Sequence, residues 1–70
     1  MRMTRHAKNR ARSIGASLAE VEGLIDDRLQ VETDEDGRPL YSGVLRGIHV
    51  RVVVALDEPG LIVTIHEKRK

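Results

Sequence analysis

The sequence of 70 residues contains no cysteine, tryptophan or phenylalanine, and Tyr41 is its only aromatic residue. Without cysteine, the chain has neither a disulfide framework nor a thiolate zinc site. One aromatic ring cannot form the stacking platform of most single-strand-binding modules, so we expect contacts with backbone phosphates instead. The chain also lacks a run of about 18 apolar residues and a signal-peptide core. We therefore expect a cytoplasmic protein that does not contact a membrane.

The length of the chain allows one domain, which we place over residues 1–70. The core of so small a domain rarely contributes more than about 3–5 kcal/mol net. No disulfide or metal is available to add to that stability. We therefore expect either oligomerisation or a permanent protein partner.

The formal net charge of +1 conceals a strongly uneven distribution of charge along the chain. Residues 1–12 contain five basic residues and no acid, and residues 68–70 are all basic, whereas residues 13–45 contain eight acids against two arginines. If the two ends meet in the fold, they form a positive patch suited to phosphates. Alternatively, both ends are solvated termini with no binding role.

Two helices are predicted in the first third of the sequence. Thr4 is suited to cap a helix from about residue 5, and Gly15 to end it. Apolar residues recur in this helix at helical spacing. The segment Ser17-Leu18-Ala19-Glu20 matches a capping box, and the second helix should end near residues 26–27. The predicted buried stripe of the first helix is Ala7, Ala11 and Ile14.

The remaining sequence alternates with a period of two, which indicates strands. We expect an edge strand at residues 29–33 and strands at 39–45, 48–56 and 61–67, joined by turns at 34–37, 46–47 and 57–60. The predicted fold class is therefore α+β: two N-terminal helices packed on one face of a three- or four-stranded antiparallel β-meander.

The turn lengths predict the register of the two hairpins. A two-residue turn at 46–47 places Ser42 opposite Arg51, and a four-residue turn at 57–60 places Arg51 opposite His66. The same turns place Val54 opposite Val63. One face then contains Tyr41, Leu45, Ile48, Val50, Val52, Val54, Leu61, Val63 and Ile65, and should pack under the helices. The other face contains Leu40, Ser42, Val44, His49, Arg51, Val53, Ile62, Thr64 and His66.

The second face, together with the first helix, contains the parts needed for metal-independent RNA cleavage. His6 or His66 could act as base or acid, and Arg10, Arg51 and Lys68 could hold a phosphate. His49 is the weakest candidate because it lies nearest a turn. For each residue the alternative is an exposed side chain with no catalytic role. Gly-rich phosphate loops, HExxH and a complete calcium loop are absent from the sequence, so we expect no cofactor and no metal.

Two short motifs resemble a known family. His6-Ala7-Lys8-Asn9-Arg10, followed by Gly15-Ala16-Ser17-Leu18-Ala19-Glu20-Val21, looks like the opening of a small prokaryotic domain family of uncharacterised function. Its last strand typically reads like Val-Thr-Val, which here corresponds to Ile62-Val63-Thr64-Ile65-His66. The family is considered allied to the barnase–EndoU–colicin–RelE ribonucleases, which include many toxins of toxin–antitoxin systems. Ile14 and Ala16 depart from the family pattern, which often has Arg and Ile there.

The resemblance implies a RelE-like fold and transfers His6, Arg10 and Thr64 as candidate catalytic residues. Arg51 and His66 join them through the register argument. Arg5, Lys8, Arg12, Lys68 and Arg69 are the candidate nucleic-acid-binding residues. The leading hypothesis is a toxin-like, metal-independent ribonuclease or RNA-binding domain with a protein antitoxin. The alternative is a non-catalytic accessory module that binds nucleic acid or protein, or that dimerises through an edge strand.

Overall fold

The computed structural model describes residues 1–68 and has the predicted α+β class. Its helices are α1 (Arg5–Ile14) and α2 (Leu18–Asp26). Its strands are β1 (Arg2–Met3), β2 (Gln30–Thr33), β3 (Pro39–Leu45), β4 (Ile48–Val54) and β5 (Leu61–Glu67). In this part of the chain, no helix is long and apolar enough to cross a membrane.

The sheet has five strands in the order β1-β5-β4-β3-β2 and is mixed. Neighbouring strands from β2 to β5 pair antiparallel, whereas β1 pairs parallel to β5. The prediction of a three- or four-stranded, purely antiparallel meander is therefore wrong. The additional strand has only two residues, which is too short to show a period of two. It is held by hydrogen bonds from the Arg2 amide to the Gly60 carbonyl (2.7 Å) and from the Thr4 amide to the Ile62 carbonyl (3.0 Å).

Both helices begin and end as their capping residues predict. The Thr4 hydroxyl accepts a hydrogen bond from the Ala7 amide, and Ser17 and Glu20 form the reciprocal bonds of a capping box. Gly15 ends α1 with φ at 83°, a left-handed conformation that glycine adopts without a Cβ clash. The boundaries of these helices therefore follow from local hydrogen-bonding chemistry.

The hydrophobic core lies between the two helices and one face of the sheet. The helices contribute small and branched residues, and α1 approaches closely because its buried stripe is alanine. Leu24 of α2 packs directly over Gly43 of β3. The buried core residues are Ala7, Ala11, Val21, Leu24, Leu45, Val50, Val52, Ile62 and Ile65.

One hairpin has the predicted register, and the other departs from it beyond Val53. Tyr41 and Ile65 both lie opposite Val52, as predicted. The register then shifts, so that Val54 lies opposite Ile62 and not Val63. Because the extra residue on β5 reverses the alternation of faces, Ile62 enters the core under the helices.

The predicted length of β4 and the turn after it are corrected by the same shift. The strand ends at Val54 and not at Leu56, which is 64% exposed. The Ala55 amide donates to the Leu61 carbonyl, so the hairpin closes with a loop one residue longer than predicted. By contrast, Arg46 and Gly47 form the predicted two-residue turn, with φ at 52° and 80°.

Candidate functional site

Strands β2 to β5 place a row of four polar residues on the sheet face turned away from the helices, which we call the open face. Ser42 lies opposite both Gln30 and Arg51, and Arg51 lies opposite His66. Paired residues of adjacent strands project to the same side of a sheet. The row that the sequence predicted, Ser42–Arg51–His66, is therefore present, and Gln30 extends it onto β2.

Rows on either side of this one add further chemistry to the open face. Thr64 lies opposite Val53 in one neighbouring row, and both side chains are buried although no helix covers them. The row on the other side contains His49, whose carbonyl accepts a hydrogen bond from the Lys68 amide at 2.7 Å. Arg51 is thus flanked by His66 across the strand pair and by His49 two residues earlier on its own strand. An exposed imidazole lies on each side of a half-buried guanidinium.

Three buried polar atoms on the open face have no hydrogen-bond partner within residues 1–68: Ser42 Oγ, Arg51 Nε and Thr64 Oγ1. Buried polar groups in proteins are nearly always hydrogen-bonded, and leaving one unpaired costs about 1–3 kcal/mol. All three atoms can donate a hydrogen bond, and they belong to three adjacent strands. The Arg51 side chain itself is 38% exposed, so the accessible part of its guanidinium suits an oxyanion such as a phosphate.

An acid on β2 limits the positive charge of the open face. Glu32 lies opposite Leu40 on this side of the sheet, and its Oε1 is 3.8 Å from Arg51 Nη2. Both side chains are more than a third exposed, so the ion pair is worth little in water. A bound anion would compete with Glu32 for the guanidinium.

Helix α1 lies along the part of β5 that β1 does not cover, and side chains from the helix and its cap bond to that strand. Arg10 Nε donates to the Ile65 carbonyl at 3.2 Å, and the Thr4 hydroxyl donates to the Val63 carbonyl at 2.6 Å. Arg10 is therefore half-buried at the edge of the strand that contains His66. His6 lies one helical turn earlier on the same side of α1 and is exposed. The structure thus brings Arg51, Thr64 and His66 onto one face and holds Arg10 at its margin.

The candidate nucleic-acid-binding residues do not form a single patch. Arg5, Lys8 and Arg12 are exposed on α1, but Lys8 and Arg12 line a groove towards the beginning of α2. Lys68 is exposed beyond the end of β5, next to His49 on the open face. Arg69 lies outside the described residues. The basic residues of α1 are therefore divided between two sides of the helix.

Glu32 and Gln30 lie on the open face, and the sequence analysis did not place them there. The period-two pattern of residues 30–33 places Gln30 and Glu32 on one side, but no turn-length argument related this strand to Arg51. A register prediction for all four antiparallel strands would have found these residues.

Asp34 lies outside the open face, in the turn between β2 and β3, and its pKa is lowered. Partial burial opposes ionisation of Asp34, but hydrogen bonds from Arg38 and from the Asp36 amide outweigh it and lower the pKa of Asp34. The carboxylate accepts the amides of Asp36 and Arg38, each at 2.9 Å, and Arg38 Nε at 2.8 Å. This carboxylate organises the turn.

Comparison with protein-family models, with curated proteins and with solved structures found no significant match to this chain.

Proposed function

We propose that the open face binds RNA and cleaves it without a metal, as in a toxin-like ribonuclease of RelE-like fold. The observation that carries the proposal is the row Ser42–Arg51–His66, with unpartnered donors at Ser42 Oγ and Arg51 Nε. The short motifs that resemble the RelE-allied family add support. Because the chain has one aromatic ring, recognition relies on the phosphodiester backbone and not on stacked bases.

The residues of the open face suit the two proton transfers of RNA cleavage. A base takes the proton of the 2′-hydroxyl as its oxygen forms a bond to the adjacent phosphorus, and an acid protonates the 5′-oxygen as its bond to phosphorus breaks. His66 and His49 flank Arg51 and are assigned these two roles. Arg51 stabilises the additional negative charge on the phosphorane, with hydroxyl groups of Ser42 and Thr64 nearby.

Helix α1 is assigned a supporting part in this function. Because Arg10 already donates to the Ile65 carbonyl, it positions β5 and reaches the substrate only with its terminal nitrogens. His6 is exposed on the same side and can contact RNA that extends past the edge of β5. Arg5, Lys8, Arg12, Lys68 and Arg69 contribute electrostatic attraction. An antitoxin in this system would cover the open face with acidic side chains.

The test is incubation of the purified full chain with ribosomal, transfer and messenger RNA in the presence of a chelator. We expect cleavage with 2′,3′-cyclic phosphate and 5′-hydroxyl ends, lost in Arg51→Ala and reduced at least about 100-fold in His66→Ala. Arg46→Ala is the matched control, since Arg46 is an exposed arginine of the adjacent turn and lies off the row. Equal loss in Arg46→Ala would contradict the assignment of the site.

Two further outcomes separate the alternatives. Intact RNA that binds in a salt-sensitive manner, with binding weakened by Arg51→Ala, would replace the enzyme with a non-catalytic RNA-binding module. If the protein neither cleaves nor binds RNA, the proposal is overturned and an interaction protein is favoured. His6→Ala tests the helix separately: loss of cleavage with binding retained would extend the catalytic centre to α1.

A further inference from the structure

Strand β2 lies at a free edge of the sheet, because it pairs only with β3 among the described residues. Its apolar side chains are poorly covered: Val31 is 47% exposed, and Leu29, just before the strand, is 74% exposed. Val31 lies opposite Tyr41 on the helix side of the sheet. An exposed edge strand with apolar side chains is a template for pairing with another strand.

The hydrogen bonds between β2 and β3 show which backbone groups of β2 point towards the free edge. The Asp34 amide donates to the Arg38 carbonyl at 3.0 Å, so the backbone amide of Asp34 points towards β3. In an antiparallel ladder, hydrogen-bonded and non-hydrogen-bonded pairs alternate. The amide and carbonyl of Val31 and of Thr33 therefore point away from β3, towards the free edge.

We propose that two copies of the chain pair through β2 as antiparallel strands related by a two-fold axis at Val31. In this register the outward amide and carbonyl of Val31 bond those of Val31 in the second copy, and the two side chains pack together. Glu32 of each copy lies opposite Gln30 of the other. No like charges therefore face each other along β2 in this register.

The same residues disfavour the other symmetric registers. A two-fold axis at Glu32 would place Glu32 opposite its own copy, and an axis at Thr33 would place Glu32 opposite Asp34. Both juxtapose like charges, which is destabilising. An axis at Gln30 would need the Leu29 amide, which already donates to the Ser42 carbonyl at 2.9 Å. A second copy therefore fits this edge in one register.

The pairing would join two sheets with their open faces on the same side, since the two-fold axis is perpendicular to the sheet. Five strand spacings then separate the two Arg51 residues, or roughly 24 Å. Under the proposed function, this arrangement presents two phosphate sites to one RNA strand. The dimer itself does not depend on that function. A single short strand pair buries less than about 1,000 Å², so we expect a weak, concentration-dependent dimer.

The test is sedimentation of the full chain over a concentration series up to about 1 mM. We expect reversible dimerisation, with the dissociation constant raised about tenfold or more in Val31→Lys, which places two ammonium groups across the two-fold axis. Val44→Lys is the matched control, because Val44 is equally exposed (46%) but lies on an interior strand. We expect Val44→Lys to dimerise like the wild type.

A mixture of Val31→Lys with Val31→Glu tests the position of the axis. Opposite charges then meet at the centre, and we expect a heterodimer at concentrations where each variant alone is monomeric. Recovery of association in the mixture also excludes unfolding as the reason for its loss. A wild type that stays monomeric up to about 1 mM, an equal loss in Val44→Lys, or no recovery in the mixture would each overturn the proposal. None of these measurements involves RNA, so the proposed function can fail independently.

Discussion

Gly43 shows at the scale of a single residue how closely α2 packs on the sheet. A methyl group at this position would lie 2.6 Å from Leu24 Cγ and 2.9 Å from Leu24 Cδ1. Such contacts cannot be relieved without moving the helix or changing the leucine rotamer. Gly23 differs, because an added methyl group there meets no atom within 4 Å.

The two glycines predict opposite effects of the same substitution. Gly43→Ala should destabilise the protein by about 1–3 kcal/mol through overpacking. Gly23→Ala should stabilise it by roughly 0.5–1 kcal/mol, because alanine loses less backbone entropy within a helix. Urea unfolding followed by circular dichroism measures both. A neutral Gly43→Ala would show that α2 does not lie this close to β3.

Asp34 predicts a dependence of stability on pH. Its pKa is lower in the folded state than in the unfolded state, so its carboxylate stabilises the fold above the ordinary aspartate pKa. That contribution is lost as pH falls through the lower, folded pKa. Asp34→Asn keeps an oxygen that accepts the two amides but loses the charge that pairs with Arg38. We therefore expect the melting temperature of Asp34→Asn to lie below that of the wild type at pH 7. The two melting temperatures should converge as the pH is lowered. A gap that stays the same from pH 7 into acid would contradict this role of the Asp34 carboxylate.

Helix α1 has a second role at the scale of secondary structure, as a cover for the edge of β5. The two residues of β1 protect only the beginning of that edge. Thr4 and Arg10 then donate side-chain hydrogen bonds to the Val63 and Ile65 carbonyls, where another strand would otherwise pair. One edge of the sheet is therefore blocked, whereas the β2 edge is free among the described residues.

Thr4 joins α1 to the sheet through a single hydroxyl, which both caps the helix and donates to β5. Thr4→Val keeps the shape but removes both hydrogen bonds, and should reduce the free energy of unfolding by about 2 kcal/mol. Thr4→Ser keeps the hydroxyl and should retain most of the stability. The measurement is urea unfolding of the three proteins under one condition. A loss in Thr4→Ser with little change in Thr4→Val would mean that the methyl group, and not the hydroxyl, is what matters.

At the scale of the whole molecule, folding partly cancels the separation of charge that the sequence shows. Glu32, from the acidic middle of the chain, has its Oε1 3.8 Å from Nη2 of Arg51, in the centre of the open face. Four of the five N-terminal basic residues lie on α1 and are divided between two sides of the helix. The local charge at Arg51 therefore depends on one nearby acid more than on the net charge.

Removal of that acid should strengthen RNA binding. Glu32→Gln and Glu35→Gln change the net charge equally, but Glu35 is an exposed acid in the turn beyond the strand. We expect Glu32→Gln to raise the affinity for single-stranded RNA about threefold to tenfold, and Glu35→Gln to have a smaller effect. Binding isotherms at two salt concentrations measure this difference. Equal effects would indicate that only net charge matters and that Arg51 is not the phosphate site.

The sequence by itself determined the features that depend on neighbouring residues. Local hydrogen bonding, backbone freedom and turn length determine the caps at Thr4, Ser17 and Gly15, the turn at Arg46-Gly47 and the pair Ser42–Arg51. For the same reason, the α+β class and the alanine stripe of α1 were predictable. These interactions have the same geometry in any fold that contains them.

Only the tertiary structure decided the features that depend on distant residues. The parallel pairing of β1 with β5, the register shift that moves Ile62 into the core, and the approach of Glu32 to Arg51 join parts of the chain without a local signal. A one-residue shift reverses the face of every following side chain, and no turn rule predicts where a strand gains a residue. The open face was therefore predictable in outline. The pair Arg51–His66 keeps its predicted register only because the extra residue in β5 offsets the longer loop, and the approach of Glu32 to Arg51 depended on packing.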